Sequence, residues 1–543
     1  MKKTIIYFAL VAFACVVQAQ DYYQGQRAIW LKKAEEAKPV LHETVYRPQF
    51  IVKSVQDPNA FQGWRMEKSG EISELYTNSF KKVKEVTVDF GKHITGYYTF
   101  HLKTTKGAQD APVRIKFTFG EVPAELNTPL DPWEGTLSRA WMQDEIETIT
   151  QVDQDITIPR RISGRYMKIE LLAGAPDFDF ALSDMYFTAL SSAKDVKTTL
   201  SADVSQEMKD INDIAIETLK ECMQTVYEDG PKRDMRLWIG DLYLESLANQ
   251  YSFQNHALTK RCLYLLAGLA ADNGILHANV FEKPEPHPQY GSHCLTYSLL
   301  FNVTLLEYLK ATNDMETACD LWTVVKRQVE DAQSYLDDNY IFNANKRGSV
   351  WLFFDWRDGL DVNTAIQGLM IFALDKSYEL AQLIGKENEV KNWPNVSKNM
   401  TKAARQELYD KKTGIFYSGH QKQVSCMSQM WMILSGVLNQ SESQKALRTV
   451  LSMEETVYPV APYAYHYLIE AMVKCGMKEE ARRSLINYWG TMVEKGADTF
   501  WEVWDSKNEY LSPYNAFPVN SYCHAWSCTP VYFIHKYPEI FQK

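Results

Sequence analysis

The apolar residues of this chain change period once, near Ser201, and that change limits the fold more than any other feature. From about residue 40 to 195, segments such as "EVTVDFGKHITGYYTFHLKTT", "APVRIKFTFGEV", "GRYMKIELLAG" and "FDFALSDMYFTAL" alternate apolar with polar residues and are rich in β-branched and aromatic types. A period of two predicts strands, punctuated by Gly91, Gly96, Gly107 and Gly120. An antiparallel β-sandwich is expected within residues 20–200. Downstream the period is helical almost to the end, with helices predicted at roughly 204–225, 241–256, 258–272, 295–312, 314–337, 363–385, 389–410, 424–438, 441–453, 461–475, 478–495 and 525–537. About a dozen consecutive helices with no fixed repeat length point to an (α/α)6 barrel over residues 201–543, six outer helices around six inner ones, with loops at one end forming a bowl.

The first residues give an address. "MKKTIIYFALVAFACVVQAQ" has a basic start, an apolar run from Ile5 to Val17 too short to span a bilayer, and small residues framing a cleavage point before Gln20. Residues 1–19 are read as a signal peptide of a periplasmic or secreted protein. Ala12 stands three residues before Cys15, where a lipoprotein leader carries leucine, so cleavage without a lipid anchor is expected. The formal charge of −10 and the lack of a basic face exclude nucleic acid as the expected partner, and no other apolar run predicts a membrane helix. Cys222, Cys262, Cys294, Cys319, Cys426, Cys475, Cys523 and Cys528 fit neither a zinc pattern nor a disulfide framework. Buried free thiols are expected, with Cys523 and Cys528 the pair to form if any does. His277, His287 and His293 stand at irregular spacing on a Pro-rich loop, and no metal site is expected there.

Chemistry concentrates in the inter-helix loops. In "VYEDGPKRDMRLWIGDLYLESLANQYSF", residues 226–253, four carboxylates (Glu228, Asp229, Asp234, Asp241) and three cations (Lys232, Arg233, Arg236) surround a turn forced by Gly230 and Pro231. Crowded carboxylates raise one another's pKa, while the cations oppose that, so spacing alone does not say which acid keeps its proton. A solvated loop with Asp241 capping the next helix is the plainer alternative. In "ADTFWEVWDSKNEYLSPYNAFPVNSYCHAWSCTPVYF", Glu502 lies between Trp501 and Trp504, and His524 and Trp526 follow on the turn into the last helix. A carboxylate among aromatics is cheaper facing a cleft than buried. The third cluster, "WLFFDWRDGLDVNTA", offers Asp355 for sugar hydroxyls and Trp356 for stacking, with Asp361 equally suited to cap a helix. With no Gly-x-Ser-x-Gly elbow and no phosphate-binding glycine loop, what remains is carboxylates facing each other across an aromatic bowl. That is glycosidase chemistry, one acid protonating the leaving oxygen and one carboxylate activating water or attacking the anomeric carbon. Two alternatives stay open: a lyase or glycosidase for another sugar, the uronate case needing spare cations in the bowl, and a non-catalytic sugar-binding relative.

The segment "DGPKRDMRLWIGD" resembles the signature of the α-L-rhamnosidases of glycoside hydrolase family 78, matching it at Asp229, Pro231, Arg233, Trp238, Gly240 and Asp241. "FWEVWD" resembles the segment of that family that holds the general base, and "VDFGKHITGYYTFHL" with "FTFGEV" resembles its β-sandwich. The resemblance implies an exo-acting, inverting enzyme that releases terminal L-rhamnose and needs no cofactor. It places the general acid on Asp234, an aspartate where the family has glutamate, and the base on Glu502. Asp229, Arg233, Trp238, Asp241, Asp355, Trp356, Trp501, His524 and Trp526 are then expected to bind the sugar. Arg236 and Leu237 depart from the Leu-Gly usual before the tryptophan.

Overall fold

The computed structural model describes residues 21–543, so the expected leader lies outside the described residues. Its first body is one antiparallel sheet of β1 (His42–Tyr46), β2 (Phe50–Gln56), β3 (Trp64–Glu71), β4 (Glu85–Lys106), β5 (Val113–Gly120), β6 (Asp144–Ile149), β7 (Asp155–Thr157), β8 (Ile162–Ala173) and β9 (Asp179–Ser191). β4 changes partner part-way: Glu85–Gly96 runs beside β8, and Gly96–Lys106 runs beside β9. A register break between Asp89 and Ile94 bends the strand. At the changeover no side chain fits, since a Cβ on Gly96 would lie 2.2 Å from the Thr188 carbonyl oxygen. The bend folds the sheet onto itself, so that Phe117 and Phe119 of β5 meet Tyr98 and Phe100 of β4 and Phe187 of β9 across one apolar core. The expected sandwich is therefore a single folded sheet.

From Gln206 the chain alternates outer and inner helices. The inner helices are Ile239–Gln250, Leu295–Thr312, Asn363–Leu383, Cys426–Leu434, Pro462–Lys474 and the last segment, in which a 3-10 turn at Ala525–Cys528 leads into Pro530–Lys536. Each packs against the next, and the last returns to Ile239–Gln250, which closes the ring. Sequence explains the sorting. Ile239–Asn249 and Cys426–Leu434 are buried on every side, whereas the outer helix Gln206–Cys222 buries one face through Met208, Ile211, Ala215 and Leu219 and turns Gln206, Glu207 and Asp213 to solvent. Close packing sets the glycine of "WIGD", because a Cβ on Gly240 would sit 2.3 Å from the Tyr297 ring.

One boundary differs from expectation. The first residues of the region assigned to the sandwich belong to the helical body: helix Arg27–Glu36 buries Trp30 and Ala34 in the barrel's core, and Arg27 donates to the carbonyls of Ala270 (2.5 Å) and Ala271 (2.9 Å). Its helical period was too short to stand out beside the strands that follow.

Candidate active site

The charged loop before Ile239–Gln250 is built around one side chain. The Asp229 carboxylate accepts from the backbone N–H groups of Asp234 (3.0 Å) and Arg236 (3.1 Å), while its own N–H donates to the Arg236 carbonyl (3.0 Å). These bonds close the turn and fix the direction of every side chain on it. Glu228 and Lys232 point to the β-body: Arg161 donates to both oxygens of Glu228 (3.0 and 2.5 Å), and the Lys232 ammonium lies 2.8 Å from Glu121 and 2.6 Å from Glu125. All of these side chains are buried or nearly so. Glu121 also accepts from the Tyr522 N–H (2.7 Å), so one β-body carboxylate holds both the charged loop and the segment that carries Ser521 and His524. Its other oxygen meets buried His93 at 3.1 Å, whose pKa is raised well above the usual value by contacts with Cys523, Glu121 and Glu221 that outweigh burial.

The other face of the loop looks into a cavity of about 230 Å³ at the N-terminal ends of the inner helices, lined among others by Asp229, Arg233, Asp234, Arg236, Trp238, Asp241, Trp356, Glu502, His524 and Trp526. Arg233 is buried and spans it. Its guanidinium donates to Asp234 Oδ1 (3.2 Å), to Glu502 Oε2 and to the Val519 carbonyl (2.7 Å), with its face on the Tyr514 ring at 4.4 Å. Asp234 and Glu502 thus sit on two arms of one cation. Glu502 is oriented further by the Tyr514 hydroxyl (2.5 Å) and the Ser521 N–H (3.1 Å). Such charge-assisted bonds fix a carboxylate's position more firmly than neutral ones.

Behind this pair lie two acids that hold their protons more tightly than a free carboxyl does. Burial pushes the Asp229 carboxyl up to about 8, and burial with Asp229 nearby raises Asp241 well above its usual value. Burial and Arg233 hold His524 well below its usual value. His524 Nε2 approaches Asp241 Oδ1 at 3.4 Å. Asp241 Oδ1, both ring nitrogens of His524 and the Trp356 indole N–H are buried without a hydrogen-bond partner. Orphaned buried polar atoms are costly, and four of them around one cavity suit a ligand rich in hydroxyls.

Residues 199–537 match the bacterial α-L-rhamnosidase six-hairpin glycosidase domain, and residues 48–189 match the glycosyl hydrolase family 78 α-rhamnosidase N-terminal domain. The chain belongs to glycoside hydrolase family 78. A rhamnosidase from Klebsiella oxytoca, solved with rhamnose bound, is 35% identical, with TM-score 0.90 over 94% of this chain and 99% of that one. Two more distant structures share the fold: a family 78 rhamnosidase of Bacillus sp. GL1 (20% identical, TM-score 0.69, 83% of this chain) and a Streptomyces avermitilis α-L-rhamnosidase complexed with L-rhamnose (14%, 0.64, 92%). This glycosidase spans 46% and 44% of their respective lengths. Comparison with curated proteins finds no match.

Within the glycosidase, the structure gathers most of the expected site residues and turns two away. Trp501 stacks on Phe61 at 4.1 Å on the far side of its segment, because that segment is extended: Glu502 N–H donates to Ser521 and His524 N–H donates to Phe500. Neighbouring side chains of an extended chain point in opposite directions, so placing Glu502 in the cleft excludes Trp501. Asp355 is half-buried outside the cavity, lining a neighbouring pocket with Arg347 and Arg357, and accepts from the N–H groups of Val460 (2.9 Å) and Ala461 (2.8 Å), tying its loop to helix Pro462–Lys474; desolvation of its carboxyl raises it to about 7. Asp241 does not cap its helix but lies inside the first turn. Cys523 approaches Cys222, at 4.0 Å between sulfurs, rather than Cys528, and these cysteines are free. Tyr514, Tyr297, Trp351, Phe353, Gln289 and Leu137 also line the cavity. Sequence reasoning missed them because none carries a charge or a spacing signal: Tyr297 reads as one more core position of helix Leu295–Thr312 and the others as ordinary loop residues; Leu137 even comes from the β-body.

Proposed function

We propose that this protein is an exo-acting, inverting α-L-rhamnosidase of the periplasm or of secretion, cleaving terminal L-rhamnose from a glycan. The observation that carries the reading is the pair of carboxylates held on the arms of Arg233 beside a cavity of about 230 Å³, small against the roughly 300–1,000 Å³ of common ligand clefts and suited to one sugar ring. The 35% identity to a rhamnosidase with bound rhamnose supports the choice of sugar. In this mechanism Asp234 gives its proton to the glycosidic oxygen as the bond to the anomeric carbon breaks. Glu502 takes a proton from the water that attacks the opposite face, and the product leaves with inverted configuration. Asp229, its carboxyl pushed up to about 8, donates to a sugar hydroxyl together with the Trp356 N–H, Asp241 and His524 hydrogen-bond to further hydroxyls, and Trp238 and Trp526 wall the ring.

The test is hydrolysis of an aryl α-L-rhamnoside followed by proton NMR from the first turnovers. β-L-Rhamnose should appear first and then mutarotate. First-formed α-rhamnose would overturn the inverting mechanism, and release of a different sugar from a panel of aryl glycosides would overturn the specificity.

A further inference from the structure

Two cations line the cavity among the described residues, and they are committed differently. Arg233 is spent on Asp234, Glu502 and the Val519 carbonyl. Arg236 has its backbone locked by Asp229 and its guanidinium laid on the Phe281 ring at 4.3 Å, yet its donors are poorly used. Nε is buried without a partner, Nη1 reaches Gln289 only at 3.4 Å, and the Asp234 carboxylate stands 3.6 Å away, beyond a good hydrogen bond. A stacked, backbone-fixed guanidinium with open donors is suited to grip a carboxylate.

Its position says which part of the substrate it meets. Rhamnose carries no charge, so the sugar ring itself gives the cation nothing to pair with. Asp234, as the acid, must touch the glycosidic oxygen, so the group just beyond Asp234 is the one that departs, and Arg236 is beside Asp234. We propose that Arg236 forms a subsite for the leaving group that binds a carboxylate, and that the preferred substrates carry terminal rhamnose linked to a uronic acid. This rests on the rhamnosidase reading and names its substrate class.

The decisive comparison uses an α-L-rhamnosyl-galacturonic acid disaccharide and its methyl ester, which has nearly the same shape and no charge. The parent enzyme should prefer the acid by roughly ten- to a hundredfold in kcat/KM, the worth of a charged hydrogen bond, and added salt should shrink that preference. Arg236→Gln should bring the ratio close to one, with Arg236→Lys retaining part of it. Equal parent rates on acid and ester would overturn the proposal without any variant. An equal loss on both substrates in Arg236→Gln would also overturn it, since Arg236 would then serve only Asp234. An aryl α-L-rhamnoside separates the two levels: if the parent cleaves it but not the acid, the subsite fails alone, and if the parent cleaves neither, the rhamnosidase reading fails and the subsite with it.

Discussion

Lys232 and Arg233 are neighbours in sequence, both buried, and face opposite bodies. Lys232 is sunk between Glu121 and Glu125 of the β-body, and Arg233 reaches across the cavity to Asp234 and Glu502. The same division runs along the whole loop, Glu228 going to Arg161 and Asp229, Asp234 and Arg236 to the cleft. The charge density therefore serves two tasks on one turn: half clamps the loop to a rigid sheet, and half does chemistry at a position the clamp fixes. The β-body is part of the active-site scaffold, since Glu121 grips the loop of the acid and the segment beside the base together.

If that division holds, variants on the cleft side should lose activity while keeping the fold. Glu502→Gln is expected to lose roughly 10²–10⁴ in kcat, the usual worth of a positioned base, with an unchanged circular dichroism spectrum. Activity within a few-fold of the parent would remove Glu502 from the mechanism. Asp234→Asn should cost about as much on rhamnosyl disaccharides, but far less on an aryl rhamnoside, whose leaving group barely needs a proton. Should Asp229→Asn show that leaving-group dependence instead, the acid has been misassigned within the loop.

Variants on the clamp side should lose stability as well. Glu121→Gln is expected to lower unfolding free energy by roughly 1–3 kcal/mol, the cost of a buried ammonium losing a charged partner, and to lower kcat by about 10- to 100-fold through misplacement of the acid relative to the base. Glu228→Gln should match it in urea denaturation yet retain more kcat, because Glu228 holds only the loop. Equal kcat losses would show that the two clamps are not distinct in function.

A further effect is in pH. Folded Asp229 keeps its proton to about pH 8, whereas an unfolded aspartate releases it near about 3.9. Between those values the native state binds the extra proton, so this group makes stability fall as pH rises from about 4 to 8 and contributes no further slope above. Asp229→Asn should remove one proton's worth of that slope, read from urea midpoints at several pH values. In the parent, KM should rise above about pH 8 as a sugar-binding donor becomes an anion.

Apolar period alone determined the two bodies and the ring of helices, because burying one face of a strand or helix requires repeats of two or 3.6 that survive any choice of partner. It also marked the clusters that hold Asp229, Arg233, Asp234, Asp241, Glu502 and His524, since charges that dense have no place in a plain connection. Only tertiary structure decided which way each of those side chains faces. Trp501 and Asp355 sat in the right clusters and turned out to be packing and loop-tying residues, while Tyr514 and Leu137, silent in sequence, reached the cavity. Direction on a loop is set by hydrogen bonds to segments more than a hundred residues away, here Glu121 to Lys232 and Tyr522 and Arg233 to Glu502, and no local pattern encodes a partner that distant.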